Sequence, residues 1–176
     1  MPPPSRRACR PSTSLTGEAM PLDIATLKDA LERLFAKPPV SMVGDTVDVA
    51  GTQTKCAQAW ADAMSAYAAG IVPPSATVSA AASAMTAALA TAFASPAAAP
   101  GMESAFAAFA ASVGGGMAGF VPTPPAAPVA FATLFIPPFP VTHAEAAAKV
   151  AAKIDAWMRT GIATTPPPAS VPTSWS

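Results

Sequence analysis

The chain has 176 residues, of which 52% are hydrophobic and only 11% charged, and 10 basic side chains balance 10 acidic ones to a formal net charge of +0. That length holds one domain with a real core. The balance leaves no support for a nucleic-acid or membrane-surface electrostatic footprint, and the low charge gives little colloidal repulsion, which suits a chain held inside an assembly.

Residues 1–20, MPPPSRRACRPSTSLTGEAM, carry basic residues but lack the apolar run of a secretory signal. Their Arg and Ser content has a faint transit-peptide character. The reading adopted is a disordered leader, with Met20 as the more natural start. Cys9 falls in this leader and Cys56 at a helix position, so no disulfide framework is expected and a reducing compartment is favoured.

Residues 22–36 read as a first helix with Asp23 as N-cap and Ile24, Leu27, Leu31, Leu34 and Phe35 on one face. Pro38 and Pro39 end it. In residues 40–51, Val47 and Val49 alternate around Asp48, and Gly44-Asp45 marks a turn; a small hairpin and a loop fit equally. A second helix is expected over 52–69, with Cys56, Trp60, Met64 and Tyr67 as its apolar stripe. Ser75 is expected to cap a third, running to about Phe93 through Val78, Met85 and Leu89. The fourth runs from about Pro100 to Val113 and presents Met102, Phe106 and Phe109. Pro100 suits its first turn, Glu103 suits the positive end of the helix dipole, and Gly114 to Gly116 close it.

Residues 120–140, FVPTPPAAPVAFATLFIPPFP, contain no charge. A solvated linker would be more polar, so this connection should lie extended across the bundle or against a partner, anchored by Phe131, Leu134, Phe135 and Phe139. Residues 142–161 form the most legible helix. Thr142 and Glu145 make a capping box, Val150, Ile154, Trp157 and Met158 make the stripe, and Gly161 follows a basic last turn. The rest of the chain is expected to pack on this helix. The end, TTPPPASVPTSWS, reads as a Pro-rich tail whose Trp175 docks onto something.

No charge occurs between Ala63 and Met102, nor between Ser104 and Thr142. Residues 76–94 and 105–121 approach the length of a membrane span. They are Ala, Ser and Thr more than Leu and Ile, however, and flanking basic clusters and aromatic belts are missing. The favoured reading is close helix packing, because Ala combines the highest helix propensity with the smallest side chain that has a Cβ. One large residue per turn then supplies most of the burial free energy, at about 25 cal/mol per Å².

No catalytic, cofactor or metal site is assigned. His143 is the single histidine and stands at a helix start, too little for a metal cluster or a nucleophilic triad. Asp45 with Asp48, and Asp29 with Glu32, read as solvated carboxylates. The triple glycine lacks the GK[ST] of a phosphate loop. Trp60, Tyr67 and Trp157 read as core at helical spacing, not as a ligand cage. The texture of residues 84–117 echoes itself across the Pro break, as composition bias and not as a repeat.

The phrases LKDALERLFAKPP, CAQAWADAMSAYAAGIVPPS, MESAFAAFAASVGGGMAGFVPTPPAAPV and THAEAAAKVAAKIDAWMRTG resemble those of small Ala-rich virion structural proteins of tailed bacteriophages and prophages, encoded among tail or neck genes. The resemblance spans residues 22–164, except for the 40–54 insert, and implies no catalytic residue. It implies a non-enzymatic structural subunit, in the virion or host cytoplasm, that contacts other virion proteins or copies of itself. Alternatives are a secreted or surface helical-hairpin protein of the kind found in actinobacterial secretion systems, and a membrane-associated helical protein. Against the former, Trp60 is followed by Ala61-Asp62, with no WxG turn.

The expected architecture is all-α: a disordered leader (1–20), a bundle of about five helices with Pro-rich connections (21–164), and a Pro-rich tail (165–176). Phe131, Phe135, Phe139 and Trp175 are the interaction candidates. No cofactor, small-molecule substrate or nucleic-acid partner is expected.

Overall fold

The computed structural model describes residues 22–176 except 136 and 138, and of Phe135 only the backbone. The leader and Cys9 lie outside the described residues. Five α-helices make the described chain mostly helical, about 57%. They are α1 (Ile24–Ala36), α2 (Val49–Ala68), α3 (Val78–Phe93), α4 (Ala98–Gly115) and α5 (His143–Met158). The all-α expectation holds only approximately, because two small antiparallel sheets accompany them. One is a hairpin of β1 (Met42–Val43) and β2 (Thr46–Val47); the other orders β3 (Val121–Thr123), β4 (Ile162–Thr164) and β5 (Pro172–Ser174) side by side.

Helices pack as sequential neighbours, α1 on α2, α2 on α3 and α3 on α4, while α5 closes back on α1. The helix read as the centre of the fold is thus one flank of it. Its N-terminus follows its sequence, whereas its C-cap is Arg159 and not Gly161, with no basic residue in the last turn. Thr142 Oγ1 accepts from Glu145 N at 3.1 Å, and Glu145 Oε2 accepts from Thr142 N at 3.3 Å, which satisfies two orphan donors. Asp23 caps α1 by accepting from Ala25 N at 2.9 Å, and the hydrogen bond from Thr26 holds its carboxyl below the usual range.

Of the predicted α2 stripe, Met64 and Tyr67 are buried, but alanines take the contact positions expected of Cys56 and Trp60. Ala57, Ala61, Met64 and Ala68 are fully buried, whereas Cys56 and Trp60 are half-buried. The alanines form the contact line because they let the neighbouring backbones approach, and the larger side chains flank it. Gly101 shows how close α3 and α4 come: a Cβ there would lie 2.7 Å from Ala92 Cβ.

Ser75 does not cap α3. Its hydroxyl donates to Val113 O at 2.6 Å, and Thr77 Oγ1 donates to Ser112 O at 2.6 Å. Both hydroxyls satisfy carbonyls left over at the C-terminus of α4. The N-cap of α3 is Thr77, without a side-chain cap bond.

The predicted tail is the third strand of the second sheet. β5 pairs with β4 in the register Ile162↔Ser174, Ala163↔Thr173 and Thr164↔Pro172. Trp175 N then donates to Gly161 O at 3.0 Å, and Ser176 exchanges backbone bonds with Val72 at 2.8 and 3.1 Å. The 40–51 stretch resolves as the hairpin alternative. Gly44 at φ 60° takes the first central position of its two-residue turn, where a type II′ turn requires glycine. No helix among the described residues is long and apolar enough to cross a membrane.

Candidate functional site

Among the described residues, an apolar groove of about 620 Å³ offers room for another molecule. One wall is the end of α1 and the middle of α2, through Phe35 and Trp60. The opposite wall is the start of α4 with the 131–134 turn, through Met102, Phe131 and Leu134. Val150 of α5 and the ring of Phe139 also line it. The volume falls within the range typical of ligand pockets, roughly 300–1,000 Å³.

A train of rings holds the groove open. Phe35 meets Trp60 at 6.0 Å between centroids, and Trp60 meets Phe106 edge-on at 5.9 Å. Phe106 in turn contacts Phe131 at 4.9 Å and Trp157 at 6.4 Å, both edge-on. Such tilted pairs suit the ring quadrupoles, at about 0.5–1.5 kcal/mol each beyond area burial. Two polar anchors fix the uncharged connection to the bundle, but it is not extended throughout as expected, because residues Phe131–Phe135 form a 3₁₀ helix. Phe131 N donates to Glu103 Oε1 at 3.0 Å, and Trp157 Nε1 donates to Ala127 O at 2.6 Å.

The groove is almost wholly apolar, with Lys149 as its charged lining residue. Its chemistry is therefore the burial of hydrocarbon. No group of three or more His, Cys, Asp and Glu that could hold a metal ion occurs among the described residues. His143 is exposed at the first position of α5. Cys56 Sγ donates to Pro39 O at 3.7 Å, and partial burial pushes its thiol pKa up, away from nucleophilic reactivity.

A separate polar clasp joins α2, α5 and the start of the described chain. Tyr67 Oη donates to Asp155 Oδ1 at 2.8 Å, Arg159 Nε donates to Asp155 Oδ2 at 2.8 Å, and Arg159 Nη2 donates to Leu22 O at 3.1 Å. Burial, and then the bond to Asp155, push the Tyr67 pKa well above its ordinary value. The Asp155 carboxylate raises that of Arg159 in the same way.

The four interaction candidates separate. Phe131 is buried in the groove wall and Phe139 stands 58% exposed at its mouth. The side chain of Phe135 lies outside the described residues. Trp175, expected to reach a neighbour, is buried in its own fold at 1% exposure. Its ring lies against Gly114 and Gly161, and its Nε1 finds no partner among the described residues. Phe35, Trp60, Met102 and Val150 were read as helix stripe and not as groove lining. Their one signal was size: each is too large for surrounding alanines to cover. No family model, curated protein or solved structure matches the chain.

Proposed function

We propose that this chain is a non-enzymatic structural subunit of a phage particle or phage-like assembly, with the Ala-rich bundle as rigid support and its apolar end as the contact with neighbours. The observation that carries this reading is the groove together with the apolar side chains left in water beside it, Phe139 and Val141, the latter 89% exposed. Exposed apolar clusters of this kind mark interaction surfaces. The near-absence of charge and the resemblance of residues 22–164 to virion proteins support it as well.

The test is to raise an antibody against the chain and fractionate phage or phage-like particles from the source cells on a density gradient. The chain is expected to co-migrate with intact particles and to label them under the electron microscope. Its confinement to particle-free fractions would overturn the reading.

A further inference from the structure

We propose that the groove receives the β1–β2 hairpin of a second copy of this chain, in a reciprocal exchange about a two-fold axis. The hairpin is a second apolar feature left exposed among the described residues, on the same end of the bundle as the groove. Met42 and Val47 stand opposite each other in its register, so they share a face, and each is 52% exposed. Val43 follows on the other face at 69%, and Val40 and Val49 flank the strands, also exposed. Asp48 N donates to Ser41 O at 2.9 Å, so the outward backbone groups on both edges belong to Met42 and Val47. A two-stranded hairpin with an apolar face and free edges is marginal by itself. Seating its apolar face on a partner, with the strand edges left to solvent, removes the first of these liabilities.

The groove supplies the matching surface. None of residues 40–48 lines it, so a chain does not fill its groove with its own hairpin. Phe35, in its wall, precedes the hairpin by only a few residues, with Pro38 and Pro39 between. Hairpin and groove therefore occupy the same end of the bundle. Two copies set end to end about a two-fold axis bring each hairpin to the other's groove, which is the self-complementary arrangement of an isologous dimer. Charge agrees with this pairing. The hairpin's charges are Asp45 at the tip and Asp48, whose carboxylate caps α2 by accepting from Gly51 N at 3.0 Å. The groove's charged lining residue is Lys149. An acidic tip on an apolar hairpin thus meets an apolar groove with a basic edge, and the formal net charge of +0 adds no repulsion between copies.

Light scattering on the full chain, over a concentration series, tests this together with two variants at exposed positions. Met42→Asp alters only the hairpin, and Phe139→Asp only the groove mouth. The native chain is expected to be a dimer. Each variant should weaken dimerisation about tenfold or more, with unchanged helical circular dichroism. An equimolar mixture of the two variants should recover part of the association, because one hairpin and one groove remain intact. A monomeric native chain would overturn the proposal, and so would a dimer that survives both substitutions. A groove occupied by residues 1–21 of the same chain would show as a monomer, and a groove serving only a different partner likewise. The outcome is independent of the particle test: a dimer can form in a chain absent from particles, and a particle protein can be monomeric.

Discussion

The hydroxyl of Tyr67 donates to Asp155 Oδ1 across 2.8 Å, and it is the point at which α2 is tied to α5 by a polar bond. Tyr67 is 1% exposed, so its oxygen has no water to fall back on. Tyr67→Phe should therefore destabilise the fold by about 1–3 kcal/mol, because Asp155 loses a donor in a largely dry site. Thermal or urea unfolding measures this directly. Tyr67→Leu should cost more, since it removes packing as well.

The same bond sets an alkaline limit. The folded-state pKa of Tyr67 is raised, while the unfolded phenol titrates near its ordinary value of about 10. Below that pH both states hold the proton and the contribution is complete. Above it the unfolded chain releases the proton and the folded chain retains it, so stability falls as pH rises. Tyr67 is the single tyrosine, so tyrosinate absorbance reports on it alone. Absorbance should appear together with loss of helical dichroism, and Tyr67→Phe should flatten the decline. Tyrosinate formed in a still-helical protein would contradict this account.

Gly161 is where α5 turns into β4, and a Cβ there would fall within the ring of Trp175. Gly161→Ala should displace the indole and loosen β5, at a cost of about 1–3 kcal/mol. Trp175→Ala removes the ring altogether and should cost about 3–5 kcal/mol. Hydrogen exchange separates the two changes from a global effect: amides of β5 and Ser176 should lose protection before those of α1 and α2.

Gly101 faces Ala92 across a close approach of α3 and α4. Gly101→Ala should force the helices apart and destabilise by about 1–3 kcal/mol, despite alanine's better helix propensity. Ala92→Gly in the same chain should relieve the clash, so the double variant should be more stable than the sum of the single effects allows. A double-mutant cycle measures that coupling.

Thr142→Ala breaks the capping box and should cost about 1 kcal/mol, whereas Thr142→Ser keeps the capping hydroxyl and should retain most of the stability. The check is the midpoint of thermal unfolding followed by helical dichroism.

The elements legible in the sequence are those written in local chemistry. Asp23, Pro38 with Pro39, and the Thr142–Glu145 pair announce helix ends, because a cap needs only residues three or four positions apart. On α2, hydropathy rewards large side chains: it finds the buried Met64 and Tyr67 but also picks the half-buried Cys56 and Trp60. The true contact line of Ala57, Ala61 and Ala68 is defined by smallness, which hydropathy does not register. β4 and β5 are three residues each, too short for any alternation to emerge. The groove draws Phe35, Trp60, Met102 and Phe131 from four separate segments. No spacing rule links residues that meet only after the bundle has formed.

α3 carries no charged side chain, and α4 carries only Glu103, already committed to Phe131 N. Their mutual grip therefore contains nothing for dissolved ions to shield and nothing, apart from that carboxylate, for acid to protonate. The middle of the bundle should hold equally well in dilute buffer and in brine.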